Sequence, residues 1–333
     1  MSDKTKSKIK SKDDFWATFG KVYDKVGVWF IVLLFFVIMT IATPAFLTIR
    51  NLTNLARQMA IYEVMAAGMA FALLIGDVSL SAGSILGVSG CLAGMTNLAG
   101  WPLAASIALA LGVGAVLGMF NGLLITKGKL IAFIATYGTQ QIYRGLVYLL
   151  TGGRTMTGMT DAYTWVGTQS LFGIPALAYM MVIVAFVCWL IMEKTAFGRH
   201  IYATGGNAEA AFVCGINTDF VRVACHSIAG CIFGFGGFLL SSRIGSAIPS
   251  LGTNYEFYGI AAVVIGGISF MGGIGSVWGV IPGALVYALI SNAMDLLMVD
   301  SFYQNIVMGA VVILAVWIDI TTKSAKTKVR TKS

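Results

Sequence analysis

The chain has 333 residues, of which 58% are hydrophobic and 11% are charged. A soluble domain carries about a quarter charged residues, so this composition excludes a soluble globular protein and indicates a membrane protein. The net charge of +8 comes from the tails, because residues 1–26 contribute +3, residues 323–333 contribute +5, and the ten basic and ten acidic residues between them cancel. A nucleic-acid-binding protein would carry its positive charge on the folded body, so that class is excluded as well.

The charge distribution predicts two cytoplasmic basic tails, at 1–26 and 323–333, around one transmembrane domain at 27–322. Five lysines precede residue 13, and no small-residue cleavage site follows a short apolar core, so the first tail is not a cleaved signal peptide. The five cysteines lie mostly within apolar runs without paired spacing, and we expect them to be small core residues instead of disulfide or metal ligands.

The charge-free stretches predict how many times the chain crosses the membrane. A helix needs about 20 apolar residues to cross the hydrocarbon, and dividing the stretches by that length gives ten crossings, with nine or eleven left open. One break falls near Gly100 and Pro102, inside a block without charges. The predicted spans are 27–46, 59–76, two within 78–126, 130–151, 174–192, 223–242, 258–270, 277–297 and 302–320. The predicted fold is an all-α polytopic transmembrane bundle.

The positions of the basic residues predict the orientation of this bundle. With ten spans and the N-terminus inside, 17 Lys and Arg residues fall on the cytoplasmic side and four fall outside. Cytoplasmic segments carry an excess of Lys and Arg, so both termini are expected in the cytoplasm and the number of spans is expected to be even.

Glycines recur at four-residue spacing within the predicted spans, as Gly114, Gly118 and Gly122 in the fourth and Gly90 and Gly94 in the third. A small face on each turn lets helix backbones approach closely in lipid, so these residues predict tight packing. A tightly packed bundle with little mass outside the membrane is typical of a transporter or channel, and less often of an intramembrane enzyme.

The one long polar stretch of the body, at 193–222, lies between the sixth and seventh spans. Gly205, Gly206 and Asn207 predict a turn and a helix cap, and the run that follows predicts a short helix that ends at Gly215. This helix is expected to lie across the cytoplasmic face. From these residues alone, an ordinary interfacial helix explains the pattern as well.

The stretch FGRHIYATGGNAEAAFVCGI, at 197–216, resembles the coupling loop of ATP-binding-cassette (ABC) importer permeases. Its form is similar to that of the ribose/galactose/xylose family of bacterial sugar permeases. The stretches at 133–139 and 260–276, and the Asn-Gly-Leu-Leu at 121–124, are also similar to that family. The resemblance covers about residues 45–320 and implies a fold like that of type II ABC importers, in a multi-pass protein of the bacterial inner membrane.

The resemblance implies that two copies of the chain form a pathway, that a cytoplasmic ATPase drives it, and that an extracytoplasmic binding protein delivers a monosaccharide. The chain has no GxxxxGK[ST] sequence, so ATP and Mg are expected on the ATPase, and neither enzyme activity nor a cofactor is expected here. The residues that the resemblance places at the ATPase are Arg199, Gly205, Gly206, Asn207, Glu209, Ala210, Ala211 and Gly215.

Two motifs depart from the family pattern, and they leave the identity of the sugar open. The family usually has Asp-Leu-Ser-x-Gly-Ser where this chain has SLSAGS at 79–84, with Asp77 two residues earlier. It usually has Tyr-Glu-Leu-Asp where this chain has Tyr255, Glu256, Phe257 and Tyr258. We expect Tyr255, Glu256 and Tyr258 to lie at the outer rim, where they form either an aromatic belt or a contact with the binding protein.

Polar side chains inside the spans suit a neutral sugar, which needs hydrogen bonds but no counter-charge. Hydrogen bonding between helices explains them equally well, and Arg144 and Glu63 could pair internally or line the pathway. Asp77 is expected to be solvated, and His226 to be a hydrogen-bonded packing residue. The candidate pathway residues are Ser79, Ser81, Asn121, Thr136, Thr139, Gln140, Arg144 and Asn292.

Two other classes of membrane protein compete with an ATP-driven permease. An ion-coupled secondary transporter would need a charged cluster at mid-membrane, and no predicted span concentrates acidic residues. An intramembrane enzyme would need a nucleophile with a base, or paired metal ligands, and the two histidines, His200 and His226, lie far apart in the sequence.

Overall fold

The computed structural model describes residues 28–330, so the predicted basic tail at 1–26 and the end of the second tail, at 331–333, lie outside the described residues. The described chain is mostly helical and has two short strand pairs, which confirms the predicted all-α class. Its helices are α1 (Val28–Ala42), α2 (Ile49–Leu74), α3 (Ala82–Leu98), α4 (Leu103–Thr126), α5 (Ala132–Thr151), α6 (Asp161–Thr168), α7 (Ala176–Lys194), α8 (Ala196–Gly206), α9 (Ala208–Val213), α10 (Thr218–Ile244), α11 (Tyr255–Ile265), α12 (Val277–Leu296) and α13 (Ser301–Arg330). Two short antiparallel ribbons pair β1 (Met156–Thr157) with β4 (Ser246–Ala247) and β2 (Ser170–Leu171) with β3 (Ile174–Pro175).

A helix lies at each position where the sequence predicts a span. Within the described residues, four helices, α4, α7, α10 and α12, are both long and apolar enough to cross a membrane by themselves. The helices α3 and α11 and the described part of α1 are apolar but shorter, as is the apolar part of α13, Ser301–Trp317. The structure therefore supports an all-α membrane protein in which some helices span less than the full hydrocarbon thickness.

Several helix boundaries differ from the prediction, among them the start of α2, the end of α11 and the end of α13, which continues to Arg330 where the predicted span ends at residue 320. The helix α2 begins at Ile49, ten residues before the predicted start, because the Thr48 hydroxyl caps it by accepting from the Asn51 amide. The helix α11 ends at Ile265, although the predicted span continues to residue 270. The connection 266–276 that follows contains four glycines with positive φ, a conformation that a helix cannot contain.

The centre of the bundle is α10, which packs against α2, α3 and α4. At its contact with α4, the two backbones touch, because a Cβ on Gly114 or Gly118 would overlap a carbonyl oxygen of Gly230 or His226. This geometry confirms the close packing that the glycine spacing predicts. In lipid the hydrophobic effect does not drive helices together, so they associate through close van der Waals contacts of this kind.

The short helices α3 and α11 meet at their N-terminal ends. With 17 and 11 residues they are about 25 and 16 Å long, less than the roughly 30 Å of the hydrocarbon core. Gly83 of α3 lies so close to the segment before α11 that a Cβ there would overlap the Gly252 carbonyl oxygen. The bundle therefore contains two interrupted helices whose N-termini adjoin.

Candidate functional site

The polar segment between α7 and α10 contains two helices, α8 and α9, where the sequence predicts one. The Thr195 hydroxyl accepts from the Gly198 amide at 3.1 Å and begins α8. The Asn207 side chain accepts from the Ala210 amide at 2.9 Å and begins α9, and Gly215, with φ of 88°, follows its end. The prediction missed α8, although Thr195 is a residue type that often caps the N-terminus of a helix. We call α8 and α9 the coupling segment.

Most residues predicted to contact an ATPase are accessible on the coupling segment. Gly205 is half-buried, and Ala211 is buried. Beside them lie two apolar side chains that the sequence analysis missed, Phe212 and Val213, which are 69% and 85% exposed. Exposed apolar side chains next to a carboxylate form a surface suited to binding another protein. The exposed predicted residues are Arg199, Gly206, Asn207, Glu209, Ala210 and Gly215.

The coupling segment joins the bundle through direct contact between backbones. A Cβ on Gly205 would overlap the carbonyl oxygen of Leu74, the last residue of α2. That same oxygen accepts from the Gly273 amide at 2.9 Å, and a Cβ on Gly273 would lie 2.7 Å from the Cα of Gly206. Three elements therefore meet without side chains between them: the end of α8, the end of α2 and the connection 266–276. We call this contact the glycine junction.

One side-chain hydrogen bond reinforces the attachment of the coupling segment, and a second attaches the end of α7 to the same connection. The Tyr202 hydroxyl donates to the Gly275 carbonyl at 3.0 Å, and the Ser276 hydroxyl donates to the Glu193 carboxylate at 2.7 Å. Burial, together with the nearby Glu193 carboxylate, raises the pKa of the Tyr202 phenol, so the hydroxyl keeps the proton that it donates. The helix α8 and the connection before α12 are therefore joined by a side-chain hydrogen bond as well as by the glycine junction.

The candidate pathway residues divide into two groups. Six are buried, and several of these connect elements of the bundle: the Asn121 amide donates to the Ser81 hydroxyl at 2.7 Å, and Asn51 and Asn292 exchange two hydrogen bonds. Gln140 and Arg144 are partly exposed. The contacts of the buried group match the alternative of hydrogen bonding between helices, and a role of these residues in a pathway stays a prediction. The buried group is Ser79, Ser81, Asn121, Thr136, Thr139 and Asn292.

Glu256, predicted at the outer rim, is buried within the protein. The side chain is 2% exposed, and its Oε1 accepts from Gln140 Nε2 at 2.8 Å. Arg144, one turn further along α5, donates through Nη1 to the Leu251 carbonyl at 2.7 Å. The structure therefore brings together Gln140 and Arg144 of the predicted pathway with a residue predicted to contact the binding protein.

Tyr255 and Tyr258 are half-buried and belong to an aromatic cluster within the bundle. Their rings pack against each other and against Tyr62 of α2, with centroids 5.0 to 6.0 Å apart, and Tyr287 of α12 closes the group. A contact of this region with a binding protein stays a prediction. Phe257, at 44% exposure, is the neighbour whose side chain is open to such a contact.

Asp77 is not solvated, and that prediction is wrong. The side chain is 6% exposed, and its Oδ2 lies 3.2 Å from Nε2 of His226 and 4.0 Å from Nε of Arg222. The prediction that His226 is a hydrogen-bonded packing residue is confirmed by the same contact. Asp77 and His226 are separated by 149 residues in the sequence, so no local pattern could pair them.

The chain matches the family model described as "Branched-chain amino acid transport system / permease component" over residues 51–316. It is 41% identical to a ribose import permease protein of Bacillus subtilis, over 90% of this chain and 94% of that one. It is 34% identical to a D-allose transport system permease protein of Escherichia coli, over 96% and 98% of the two chains, and 34% identical to a xylose transport system permease protein of the same species, over 84% and 87%. No solved structure matches the chain. With four-fifths of its length matched, the chain belongs to the family of branched-chain amino acid transport system permease components.

Proposed function

We propose that this protein is the permease subunit of an ATP-driven monosaccharide importer in a bacterial inner membrane. The observation that carries the proposal is the coupling segment, an exposed pair of helices whose backbone adjoins two other elements of the bundle at the glycine junction. The relatives named above are permeases for ribose, allose and xylose, which supports a monosaccharide as the substrate.

In the proposed topology the chain crosses the membrane ten times, and both termini lie in the cytoplasm. The ten crossings are α1 to α5, α7 and α10 to α13, which alternate in direction, while α6, α8 and α9 lie outside the membrane. This arrangement places the coupling segment and the connection 266–276 on the cytoplasmic side. It also places Lys127, Lys129, Lys194, Arg199 and Arg222 there, in agreement with the positive-inside bias.

The proposed partner at the coupling segment is a cytoplasmic ATPase that binds ATP and Mg. Glu209 would form the charged contact, with Phe212 and Val213 buried beside it on docking, and Arg199 would support the surface. Asn207 acts by capping α9, which holds Glu209 in the first turn of that helix. Closure of the ATPase would displace α8 and, through the glycine junction, α2 and the start of α12.

The proposed second partner in the membrane is another copy of this chain, with the pathway between the two. One face of α5 supports this arrangement, because it packs against no neighbouring helix of the described chain around Gly138 and Gly145 and carries Gln141 between them. An amide directed at lipid costs free energy, whereas a second copy or a water-filled pathway would satisfy it. An extracytoplasmic binding protein would deliver sugar at the opposite side from the ATPase.

Reconstitution with the ATPase and the binding protein tests this function. We expect labelled sugar to enter vesicles in the presence of ATP, and Glu209→Arg to lower uptake at least tenfold, because reversing a charge at a matched surface costs several kcal/mol. The same variant should lose the ATPase during co-purification. The matched control is Asp161→Arg, which reverses an exposed acidic residue in the first turn of α6 and should retain the ATPase. Uptake without ATP would contradict the proposal and favour an ion-coupled transporter.

A further inference from the structure

Two interrupted helices bring their N-termini together beside the middle of α5. The first turn of α11 contains Glu256, whose carboxylate bonds to Gln140, near the midpoint of the 20-residue α5. The first turn of α3 contains Gly83, and a Cβ there would overlap Glu256 Oε2 and the Gly252 carbonyl oxygen. Interrupted helices that end near the membrane midplane mark substrate sites in many transporters, because helix termini provide partial charges at that depth.

The polar groups at this meeting point are not all satisfied. Glu256 Oε1 accepts from Gln140, but within the described residues Oε2 has no hydrogen-bond partner, although the side chain is 98% buried. Arg144 uses Nη1 for the Leu251 carbonyl and interacts electrostatically with Glu256. The cluster contains one basic and one acidic side chain, so it is not built from groups of a single sign.

The open side of the cluster is the face of α5 that the rest of the bundle leaves uncovered. Gln140 and Arg144 are partly exposed there, and Tyr137, one turn earlier, is 52% exposed. Gly138 has no atom within 4 Å of the position that a Cβ would take, so there is free space beside the tyrosine ring. Planar donors and acceptors next to an exposed aromatic ring suit a small ligand with hydroxyls on its edge and C–H groups on its face.

We infer that Gln140 and Arg144 bind the hydroxyl groups of the sugar during its passage, with Tyr137 against the sugar ring and Glu256 as a positioning residue for Gln140. The Glu256 bond fixes the Gln140 amide with its Nε2 inward, which leaves the amide oxygen as an acceptor for a hydroxyl. This inference rests on the proposed function, and it adds that the permease itself discriminates between sugars. A site built to bond a hydroxyl disfavours the analogue that lacks it, because its buried polar groups are then unpaired.

The test compares the transported sugar with its single-deoxy analogues. Uptake of D-ribose, D-allose and D-xylose by the reconstituted complex first identifies the sugar that the wild type carries. The rate for that sugar and for each deoxy analogue is then measured at saturating sugar-loaded binding protein, so that the affinity of the binding protein does not enter the ratio. Stimulation of the ATPase by the binding protein shows for each variant that the complex is assembled.

We expect Gln140→Leu and Arg144→Leu each to reduce, about tenfold, the preference for the parent sugar over at least one deoxy analogue, since a lost hydrogen bond to a charged or well-placed polar group is worth roughly that factor. Glu256→Leu should reduce the same preference as Gln140→Leu, and Glu256→Gln, which can still accept from Gln140, should restore most of it. If Arg144→Leu does not assemble, Arg144→Lys keeps the charge, removes the planar fork and should show the same change in preference.

The matched control is Glu63→Gln, which changes another buried carboxyl group. Glu63 lies on α2 and has no hydrogen-bond partner in the described part of the chain. Because it is 0% exposed, it does not reach the open face of α5 and cannot contact a sugar there. The Glu63→Gln permease should show the same preference among the analogues as the wild type. Equal loss of rate for all sugars in the α5 and Glu256 variants would overturn the inference and leave these residues a structural role. A wild type that takes up none of the sugars would instead contradict the proposed function.

Discussion

At the scale of single residues, the contact between α4 and α10 depends on the absence of side chains. A Cβ on Gly118 would overlap the His226 carbonyl oxygen, whereas Gly112, on the same helix, has no atom within 4 Å of the same position. We expect Gly118→Ala to destabilise the protein by about 1–3 kcal/mol, the cost of overpacking a close contact. Gly112→Ala should be neutral or slightly stabilising, because alanine is the better helix former. Thermal unfolding of the detergent-solubilised variants measures the difference, and equal melting temperatures would contradict the close contact.

Single residues also differ in whether a local sequence pattern can predict their role. Asn207 follows two glycines and precedes a helix-forming run, so the sequence predicts its capping role and the structure confirms it. The bond between Gln140 and Glu256 joins residues 116 positions apart. From the sequence, Gln140 is predicted to line the pathway and Glu256 to lie at the outer rim. Capping depends on neighbours within three residues, while the second contact depends on how α3 packs against both α5 and α11.

At the scale of elements, the glycine junction connects the coupling segment to α2 and α12. A Cβ on Gly205 would overlap the Leu74 carbonyl oxygen, but a Cβ on the neighbouring Gly206 would meet nothing within 4 Å. We expect Gly205→Ala to separate α8 from α2 and to lower ATP-driven uptake about tenfold or more, while Gly206→Ala retains most of it.

ATP hydrolysis by the reconstituted complex distinguishes this effect from simple misassembly. If Gly205→Ala disrupts transmission, the complex should still form and hydrolyse ATP, but the binding protein should stimulate hydrolysis less than in the wild type. Normal uptake in Gly205→Ala would show that motion of the coupling segment reaches the bundle by another route. The Gly206→Ala variant provides the matched comparison, because it adds the same methyl group one residue away.

At the scale of the whole molecule, the proposed orientation places the coupling segment and the loop between β2 and β3 on opposite sides of the membrane. The native Cys214 is exposed next to α9, and Phe172 of the β2–β3 loop is 100% exposed. A membrane-impermeant maleimide should label Cys214 in inside-out vesicles but not in spheroplasts. A Phe172→Cys variant that also carries Cys214→Ser should show the reverse pattern, and labelling of both sites from one side would contradict the topology.

The sequence by itself determined the class of protein, the positions of the helices at the predicted spans and the location of the coupling segment. Apolar length, charge position and capping residues are local properties, so they can be read along the chain, and a helix lies at every predicted span. The tertiary structure decided that Asp77 pairs with His226, that Gln140 bonds to Glu256, and that Gly205 touches Leu74. These features depend on contacts between residues far apart in the sequence, which are set by the packing of whole helices and have no counterpart in any local pattern.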